Sequence, residues 1–312
     1  MKLLKQAGLP EALTEALAAT YDMVDLALVS EQQINDMAEH ITMVVTNGEA
    51  SVPREFMMRF PALKLIAVFG VGYDGVDITA AQQSGIAVTN TPGVLTEDVA
   101  DLALGLMIAT RRQIVAAHKF IEQGKWQAGS FPWTQKVSGA RLGIVGMGRI
   151  GQAIAHRAAG FSMAISYYNR RPLQNDNWQY QPDLHELAKQ SDILVIAIPG
   201  GEDTRGLIDK SVLEALGSQG VLINIARGSV INEQDLIEAL QHGTIAGAGL
   251  DVFGHEPDVP HSLQQQPNVV ITPHMASATW QTRAKMSRLV EDNIAAWVAG
   301  RPLITPVNDR VG

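Results

Sequence analysis

Short apolar runs rich in β-branched residues alternate along the chain with longer stretches whose apolar residues recur at the helical period. In the first ninety residues the strand-like runs are 24–29, 41–45, 65–70 and 86–90. Helical patterns fill two of the intervals, at Glu31–His40 and Asp77–Ser84. Strands that alternate with helices in this way predict a parallel α/β fold.

A second series of strand-like runs follows, at 141–146, 164–169, 193–199, 221–226, 246–253 and 269–274. Six strands separated by helices match a complete dinucleotide-binding sheet. A further long helix is predicted over 279–300, and a domain boundary lies near 92–96, where Pro and Gly interrupt the pattern.

A long helix is predicted between the two series. Thr96 suits its N-cap, Glu97 and Asp98 suit its first turn, and Gly124 suits its end. Its first half is apolar on nearly all sides. We therefore expect it to be buried on several sides, inside the chain or against a second subunit.

Composition narrows the classes of function. Hydrophobic residues make up 46% of the 312 positions and charged residues 18%, which is typical of a globular protein. The net charge of −8 disfavours nucleic acid and anionic membranes as partners. The absence of cysteine excludes disulfides, thiolate metal sites and cysteine nucleophiles. We find no signal peptide or membrane span, predict no metal site, and expect a cytoplasmic protein.

A glycine-rich turn follows the first strand of the second series. Gly146, Gly148 and Gly151 form a G-x-G-x-x-G pattern between the strand RLGIV and the helix IGQAIAHRAA. Gly146 permits the tight turn, Gly148 lets the backbone approach a diphosphate, and Gly151 lets the helix pack closely on the strand. Arg149 and Ile150 would present their N–H groups to the phosphates at the start of the helix. A turn that binds nothing is the alternative.

The end of the next strand indicates which dinucleotide binds. NAD-binding proteins usually carry Asp or Glu there, whereas this chain has Asn169, Arg170 and Arg171, with no carboxylate before Asp176. Guanidinium groups suit a phosphate, so the pattern favours NADPH over NADH, with an arginine on the 2′-phosphate. A solvated basic loop is the alternative.

Three polar residues follow late strands of the second series. Arg227 follows VLINIA, Glu256 follows GLDVFGH, and His274 ends VVITPH. Open α/β sheets bind ligands at the carboxyl ends of their strands, so these side chains can meet at one crevice. An imidazole titrates near neutral pH, and a nearby carboxylate favours its protonated form and so raises the histidine pKa.

Several motifs together resemble the D-isomer-specific 2-hydroxyacid dehydrogenase family. They are GRIG after VGMG, INIARGSVINEQDLIEAL, AGAGLDVFGHEP, NVVITPHMAS and FGVGYDGVD, and matches recur from about residue 41 to 309. The Asn-Arg-Arg sequence after the second strand is most similar to the NADPH-preferring glyoxylate/hydroxypyruvate reductases of that family.

The resemblance implies roles for the candidate residues. Arg227 would bind the carboxylate and carbonyl of a 2-oxo acid, His274 would be the general acid, and Glu256 would bond the other ring nitrogen. The substrate carboxylate would also meet the backbone N–H groups of Val71 and Gly72. The remaining cofactor candidates implied by the resemblance are Asp251, on the nicotinamide carboxamide, and the weaker candidates Thr204 and Asn224.

The resemblance also implies a domain plan and a partner. A flavodoxin-like substrate domain would comprise 1–95 and 283–312, a Rossmann cofactor domain would comprise 96–282, and a cleft would lie between them. The helix region 96–121 would form a homodimer contact. Trp126, Trp133 and Trp280 are core or interface candidates, and Trp133 is our nominee to line a partner's pocket.

Two alternative functions stay open. The substrate could be a bulkier 2-oxo acid, such as 2-ketogluconate or an arylpyruvate, because pocket-lining loops decide its size. A different class is also represented among relatives of this kind, namely nucleotide-sensing corepressors that bind NAD(H) without turnover. The leading expectation is NADPH-dependent reduction of glyoxylate or hydroxypyruvate to the D-2-hydroxy acid.

Overall fold

The computed structural model describes residues 1–174 and 177–308. Asp176, the first carboxylate after Asn169 in the sequence, lies outside the described residues, as do the last four positions. The chain divides into two compact units. The first is Met1–Leu95 with the described part of Ala278–Gly312, and the second is Thr96–Ser277.

Parallel strands form the centre of each unit. The strands that the structure describes are β1 Lys2–Lys5, β2 Asp22–Asp25, β3 Ile41–Asn47, β4 Leu65–Phe69, β5 Ala87–Thr89, β6 Arg141–Val145, β7 Ala164–Tyr168, β8 Gln179–Tyr180, β9 Ile193–Ile196, β10 Val221–Asn224, β11 Gly247–Leu250 and β12 Val269–Ile271.

Helices connect these strands. In the described part of the chain they are α1 Glu11–Thr20, α2 Glu31–Asp36, α3 Arg54–Met58, α4 Ile78–Gln83, α5 Thr96–Arg111, α6 Ile114–Glu122, α7 Arg149–Ala159, α8 Leu184–Lys189, α9 Lys210–Leu216, α10 Glu233–Gln241, α11 His261–Gln264 and α12 Trp280–Val298. Short 3₁₀ turns occur between several of them.

The first unit contains a five-stranded parallel sheet in the order β2-β1-β3-β4-β5. This is the flavodoxin-like strand order. Its core includes Leu4, Val44, Ile66 and Val88, all of them fully buried. The helix α12 belongs to this unit although it comes from the far end of the chain, and it packs against β4 and α1.

The tail after α12 covers one edge of that sheet. The Val307 N–H donates to the Val88 carbonyl at 2.8 Å, and Thr89 pairs with Pro306 in antiparallel sense. The Asn308 side chain spans the same strand, because it accepts from the Val88 N–H and donates to the Ile86 carbonyl, each at 2.8 Å. The tail thereby satisfies backbone groups that an edge strand would leave unpaired.

The second unit contains a seven-stranded parallel sheet in the order β12-β11-β10-β9-β6-β7-β8. Six of its strands have the Rossmann order, and β12 extends one edge. The order reverses between β6 and β9, which is the point where sheets of this kind bind dinucleotides. The predicted fold class, two doubly wound parallel-sheet domains, is confirmed.

The structure corrects two predicted elements of the first unit. The strand predicted over 24–29 is β2, at Asp22–Asp25, and 26–28 form a 3₁₀ turn. Asp25 ends the strand because its carboxylate accepts the Ala27 N–H at 3.0 Å and caps that turn. The helix predicted over Glu31–His40 ends at Asp36, and a separate 3₁₀ turn follows it.

The long helix predicted from residue 96 is two helices. Gln113, between α5 and α6, has φ 50°, in the left-handed region, and the Arg111 carbonyl accepts the Gln135 N–H at 3.1 Å. The apolar first half is buried within the unit, because α5 packs against α7, β10 and β11. The exposed apolar surface lies on α6, where no residue is fully buried.

Among the described residues, none of the helices is both long enough and apolar enough to cross a bilayer. The expected cytoplasmic location and the absence of a nucleic-acid partner stay predictions.

Candidate active site

The glycine-rich turn joins β6 to α7. Gly146 has φ 100°, and a Cβ there would lie 2.7 Å from the Ala197 carbonyl oxygen. A Cβ at Gly151 would collide with the Gly146 carbonyl oxygen. Both positions therefore exclude a side chain because the helix, the turn and the neighbouring strand approach closely.

Gly148 differs, since a Cβ there would meet no atom within 4 Å. It is also the N-cap of α7 and offers no side-chain acceptor to the first-turn N–H groups, which include those of Arg149 and Ile150. Open space beside uncapped N–H groups suits a phosphate. The turn thus fits a dinucleotide diphosphate.

The turn after β7 is tied to the glycine-rich turn. The Asn169 side-chain oxygen accepts the Met147 N–H at 2.8 Å. The Tyr180 hydroxyl donates to the Asn169 carbonyl at 3.2 Å, and the Leu173 N–H donates to the Tyr167 hydroxyl at 2.8 Å.

The backbone on both sides of Arg170 and Arg171 is therefore anchored, while both side chains are exposed. Exposure is compatible with a bound phosphate and also with a solvated loop. Their role in cofactor selection stays a prediction.

Arg227 follows β10 in a turn that Asn224 organises. The Asn224 amide donates to the Arg227 carbonyl at 2.9 Å, and its oxygen accepts the Ala226 N–H at 3.0 Å. The next residue, Gly228, lies so close to the Phe253 carbonyl that any Cβ would collide with it. This contact presses the Arg227 turn against the segment after β11. Asn224 is fully buried, so solvent does not compete for these two hydrogen bonds, and they fix the shape of the turn.

Glu256 and His274 form a close pair. Glu256 Oε2 lies 2.7 Å from His274 Nδ1, and Glu256 Oε1 accepts the Phe253 N–H at 2.8 Å. Both carboxylate oxygens are thus occupied, which orients the carboxylate toward the ring. His274 has φ 48°, an uncommon backbone conformation for a residue with a side chain, and strain of this kind concentrates at functional sites.

Asp251 holds the segment that carries His274. Its carboxylate accepts the Thr272 hydroxyl at 2.6 Å and the N–H groups of Met275 and Ala276 at 2.9 Å, and its carbonyl accepts the His274 N–H at 2.9 Å. Burial raises the pKa of the Asp251 carboxyl, and these hydrogen bonds oppose that shift. Asp251 is 0% exposed, so its carboxylate is part of the folded interior and is not a solvated loop acid.

The strand order explains why the three polar residues converge. β10, β11 and β12 are neighbours in the sheet, and Arg227, Glu256 and His274 follow their carboxyl ends in turn. Backbone bonds link these ends, from Asp251 N–H to the Asn224 carbonyl and from Thr272 N–H to the Leu250 carbonyl. A cation, a carboxylate and an imidazole on one rim can bind an anion and transfer a proton.

The remaining candidates belong to other loops of the chain. Val71 and Gly72 belong to the first unit and follow β4. The Thr204 hydroxyl donates to the Pro199 carbonyl at 2.9 Å, within its own loop. The three tryptophan candidates are not core residues, since all are largely exposed: Trp126, Trp133 and Trp280.

Comparisons with known proteins show which family the chain belongs to. Residues 104–276 match the family model described as "D-isomer specific 2-hydroxyacid dehydrogenase, NAD binding domain". The chain is 47% identical over 270 residues to hydroxyphenylpyruvate reductase of Plectranthus scutellarioides, with 86% of each chain covered. The chain belongs to the D-isomer-specific 2-hydroxyacid dehydrogenase family. It is therefore an oxidoreductase with a nicotinamide-dinucleotide-binding domain.

Other 2-hydroxyacid dehydrogenases are similar over most of their length. Glyoxylate/hydroxypyruvate reductase A of Arabidopsis thaliana is 46% identical over 267 residues, covering 86% of this chain and 85% of that one. An NADPH-dependent glyoxylate/hydroxypyruvate reductase of Sinorhizobium meliloti, solved with NADP and malonate, superposes with a TM-score of 0.91. It is 42% identical, and the match covers 98% of this chain and 96% of that chain.

Sequence reasoning missed several residues that shape this dehydrogenase site. Gly228 lies next to Arg227 but was not singled out, and Thr272 lies two positions before His274. Asn90 is the last position of the strand-like run 86–90 and was not singled out, although its amide donates to the Val71 carbonyl. The Asn-Thr-Pro sequence after β5 was the available signal, because buried asparagines commonly bond to backbone in such turns.

Proposed function

We propose that this dehydrogenase reduces glyoxylate or hydroxypyruvate to the D-2-hydroxy acid with NADPH. The observation that carries the proposal is the 2.7 Å contact of Glu256 with His274 on the strand rim that also holds Arg227. A carboxylate, an imidazole and a guanidinium together suit reduction of an anionic carbonyl compound. Relatives with glyoxylate and hydroxypyruvate in their names support the substrate class.

Cofactor binding is assigned to the two turns at the switch point of the second sheet. The N–H groups at the start of α7 would hold the diphosphate, with Gly148 leaving room for it. Arg170 and Arg171 would bind the 2′-phosphate, which makes NADPH the preferred cofactor over NADH. The nicotinamide, when bound, supplies the hydride. Asp251 is retained as the proposed contact of the nicotinamide carboxamide, and Thr204 and Asn224 are retained as weaker candidates for contacts with the dinucleotide.

Substrate binding and proton transfer are assigned to five groups. The N–H groups of Val71 and Gly72 would bind the carboxylate, and Arg227 would bind the carboxylate and polarise the carbonyl. The protonated His274 would give its proton to the carbonyl oxygen as C2 becomes tetrahedral, and would then regain a proton from solvent. Glu256 would stabilise the imidazolium before transfer and orient the ring.

A bulkier 2-oxo acid is the second candidate. Hydroxyphenylpyruvate reductase of Plectranthus scutellarioides is 47% identical to this chain, and its name specifies an arylpyruvate. The catalytic groups would serve either acid, because both substrates share the 2-oxo-carboxylate end. The choice between the two acids would depend on the residues that surround the other end of the substrate.

Initial rates of NADPH oxidation at 340 nm test the proposal. The panel contains glyoxylate, hydroxypyruvate, 2-ketogluconate and 4-hydroxyphenylpyruvate, each with NADPH and with NADH. We expect the highest kcat/KM for glyoxylate or hydroxypyruvate with NADPH. A preference for the aryl or sugar acid would favour the second candidate, and tight nucleotide binding without turnover of any acid would favour a nucleotide-sensing protein.

A homodimer is also part of the proposal. The helix α6 exposes Ile114, Val115 and Ile121, and Trp133 is 100% exposed. Several large apolar side chains exposed on one helix often mark an interface between subunits. In such a dimer, Trp133 would be placed to reach the partner subunit.

A further inference from the structure

Two successive peptide groups after β4 are fixed at their carbonyl ends. The Gly70 carbonyl accepts the Thr91 N–H at 2.8 Å. The Val71 carbonyl accepts the side-chain amide of Asn90, also at 2.8 Å. Two adjacent residues of the loop after β5 thus hold two adjacent peptide groups of the loop after β4.

Peptide geometry converts these two bonds into an orientation. A trans peptide group is planar, and its C=O and N–H bonds point in nearly opposite directions. Fixing the Gly70 carbonyl therefore aims the Val71 N–H away from the loop that contains Thr91. Fixing the Val71 carbonyl aims the Gly72 N–H in the same way, away from Asn90.

The two N–H groups that result are available to a ligand. Neither the Val71 N–H nor the Gly72 N–H donates to a backbone carbonyl within residues 1–174 and 177–308. Both residues are only partly buried, so an anion can reach them. Two neighbouring peptide N–H groups form the kind of concavity that binds a carboxylate.

Asn90 is itself held by the returning end of the chain. Its carbonyl accepts the Thr305 hydroxyl at 2.6 Å, and its N–H donates to the Thr305 carbonyl at 3.3 Å. Thr305 in turn bonds to Asn293 of α12, whose amide donates to the hydroxyl at 2.9 Å and whose oxygen accepts the Thr305 N–H at 3.1 Å. Asn293 is 1% exposed and Asn90 is 9% exposed, so solvent does not compete strongly for these bonds.

From this chain of contacts we infer that Asn90 is a positioning residue for substrate recognition. It aims the Gly72 N–H at the substrate carboxylate, while Thr305 and Asn293 keep Asn90 in place. The inference rests on the proposed function, since it assigns the substrate carboxylate to the loop after β4. It explains why a polar side chain is buried in the first unit beside that loop.

Replacing Asn90 should weaken binding of the acid and leave the cofactor unaffected. Asn90→Ala removes the donor to the Val71 carbonyl. Asn90→Asp keeps the side-chain volume and sets an acceptor against that carbonyl, so it repels the peptide. We expect either variant to raise KM for hydroxypyruvate roughly tenfold, which corresponds to the free energy of about one hydrogen bond. KM for NADPH should stay within about twofold and kcat within about threefold. The orientation of the Gly72 N–H affects binding of the substrate carboxylate and not the chemical step.

Asn308 supplies the matched control. It is equally buried, at 8% exposed, lies in the same unit, and bonds through its amide to the backbone of β5. Asn308→Ala should lower Tm as Asn90→Ala does, yet leave KM for hydroxypyruvate unchanged. Thermal unfolding shows which variants are folded. If Asn90→Ala does not fold, Asn90→Asp is compared with Asn308→Ala instead.

Oxamate, a 2-oxo acid analogue that is not reduced, separates this inference from the proposed function. Its Kd is measured by calorimetry with the full chain and NADPH, and we expect a roughly tenfold increase in the Asn90 variants. An unchanged Kd in a folded Asn90 variant, an equal increase in Asn308→Ala, or no oxamate binding by the wild type would overturn the inference. A wild type that binds oxamate but reduces no 2-oxo acid contradicts the proposed function alone, and the Kd comparison still decides the role of Asn90.

Discussion

Glu256 Oε2 lies 2.7 Å from Nδ1 of His274, and the same carboxylate is locked from its other side by the Phe253 N–H. The pair leaves Nε2 as the ring nitrogen that does not face the carboxylate. In the proposed reduction, the Nε2 proton would pass to the substrate, and the carboxylate would compensate the positive charge of the ring.

Glu256→Gln should change how the reaction depends on pH. Glutamine keeps an acceptor for the Phe253 N–H but removes the negative charge beside the imidazole. We expect the pH at which kcat/KM for reduction declines to move down, because no negative charge then favours the protonated ring. The pH–rate profile measures this shift. Glu238→Gln, on the surface of α10, is the control, and a profile that matches wild type in Glu256→Gln would argue against the pairing.

Removing both arginines after β7 should affect one cofactor only. In Arg170→Ala/Arg171→Ala we expect kcat/KM for NADPH to fall roughly tenfold to a hundredfold, the effect of one or two charge-assisted hydrogen bonds. The value for NADH should stay nearly constant. Arg54→Ala/Arg59→Ala removes the same charge from the first unit and should change neither value. Equal kcat/KM for both cofactors, unaltered in the double variant, would contradict the assignment.

Sedimentation at micromolar concentration should give about twice the chain mass. Ile121→Glu introduces a charge into the exposed apolar surface of α6 and should shift the equilibrium toward monomer. Met58→Glu, which alters a more exposed apolar residue, in α3, should leave the mass unchanged. A wild-type chain that stays monomeric would refute the proposed dimer.

The ion pair at the start of β6 predicts a pH-dependent stability. The Arg141 side chain binds Asp192 at 2.7 Å and lowers the pKa of that carboxyl. A lowered folded-state pKa stabilises the fold above the unfolded-state value of about 3.9, and this contribution is lost as pH falls through the folded-state pKa. Asp192→Asn should therefore cost about 1 kcal/mol at pH 7, about 2–4 °C in Tm for a unit of this size.

The Tm difference between wild type and Asp192→Asn should shrink as the pH is lowered from 5 toward 3. Asp22→Asn, which alters a more exposed surface pair with Lys2, is the control and should show a smaller difference throughout. A Tm difference that is constant with pH would show that the charge of Asp192 is not responsible.

The periodicity of apolar residues was sufficient to predict most strands and helices of the fold. The strands of the second unit with long apolar runs were predicted, because a buried parallel strand is apolar on both faces. β1 and β8 were missed because they carry few apolar residues: β1 has two leucines between two lysines, and β8 consists of one Gln and one Tyr. The break at Gln113 could not be predicted, because it accompanies a bond from Gln135 N–H to the Arg111 carbonyl that only folding creates.

The residues of the candidate site also differ in whether the sequence predicts them. Arg227, Glu256 and His274 lie in motifs that resemble those of a known family, so they could be proposed from their order and their strand ends. The residues that support them depend on contacts between distant parts of the sequence. Asn90, for example, is 215 positions from Thr305, the residue that holds it, and no local pattern indicates that pairing.

In the proposed reaction, His274 transfers the proton during NADPH-dependent reduction of a 2-oxo acid. Single-turnover and steady-state rates of NADPH oxidation with hydroxypyruvate, compared between wild type and His274→Ala, test it most directly. We predict that kcat falls by about 10²–10⁴ while the Kd for NADPH and the Tm stay close to wild type, and that His242→Ala behaves as wild type. A near-normal kcat in His274→Ala would contradict the account.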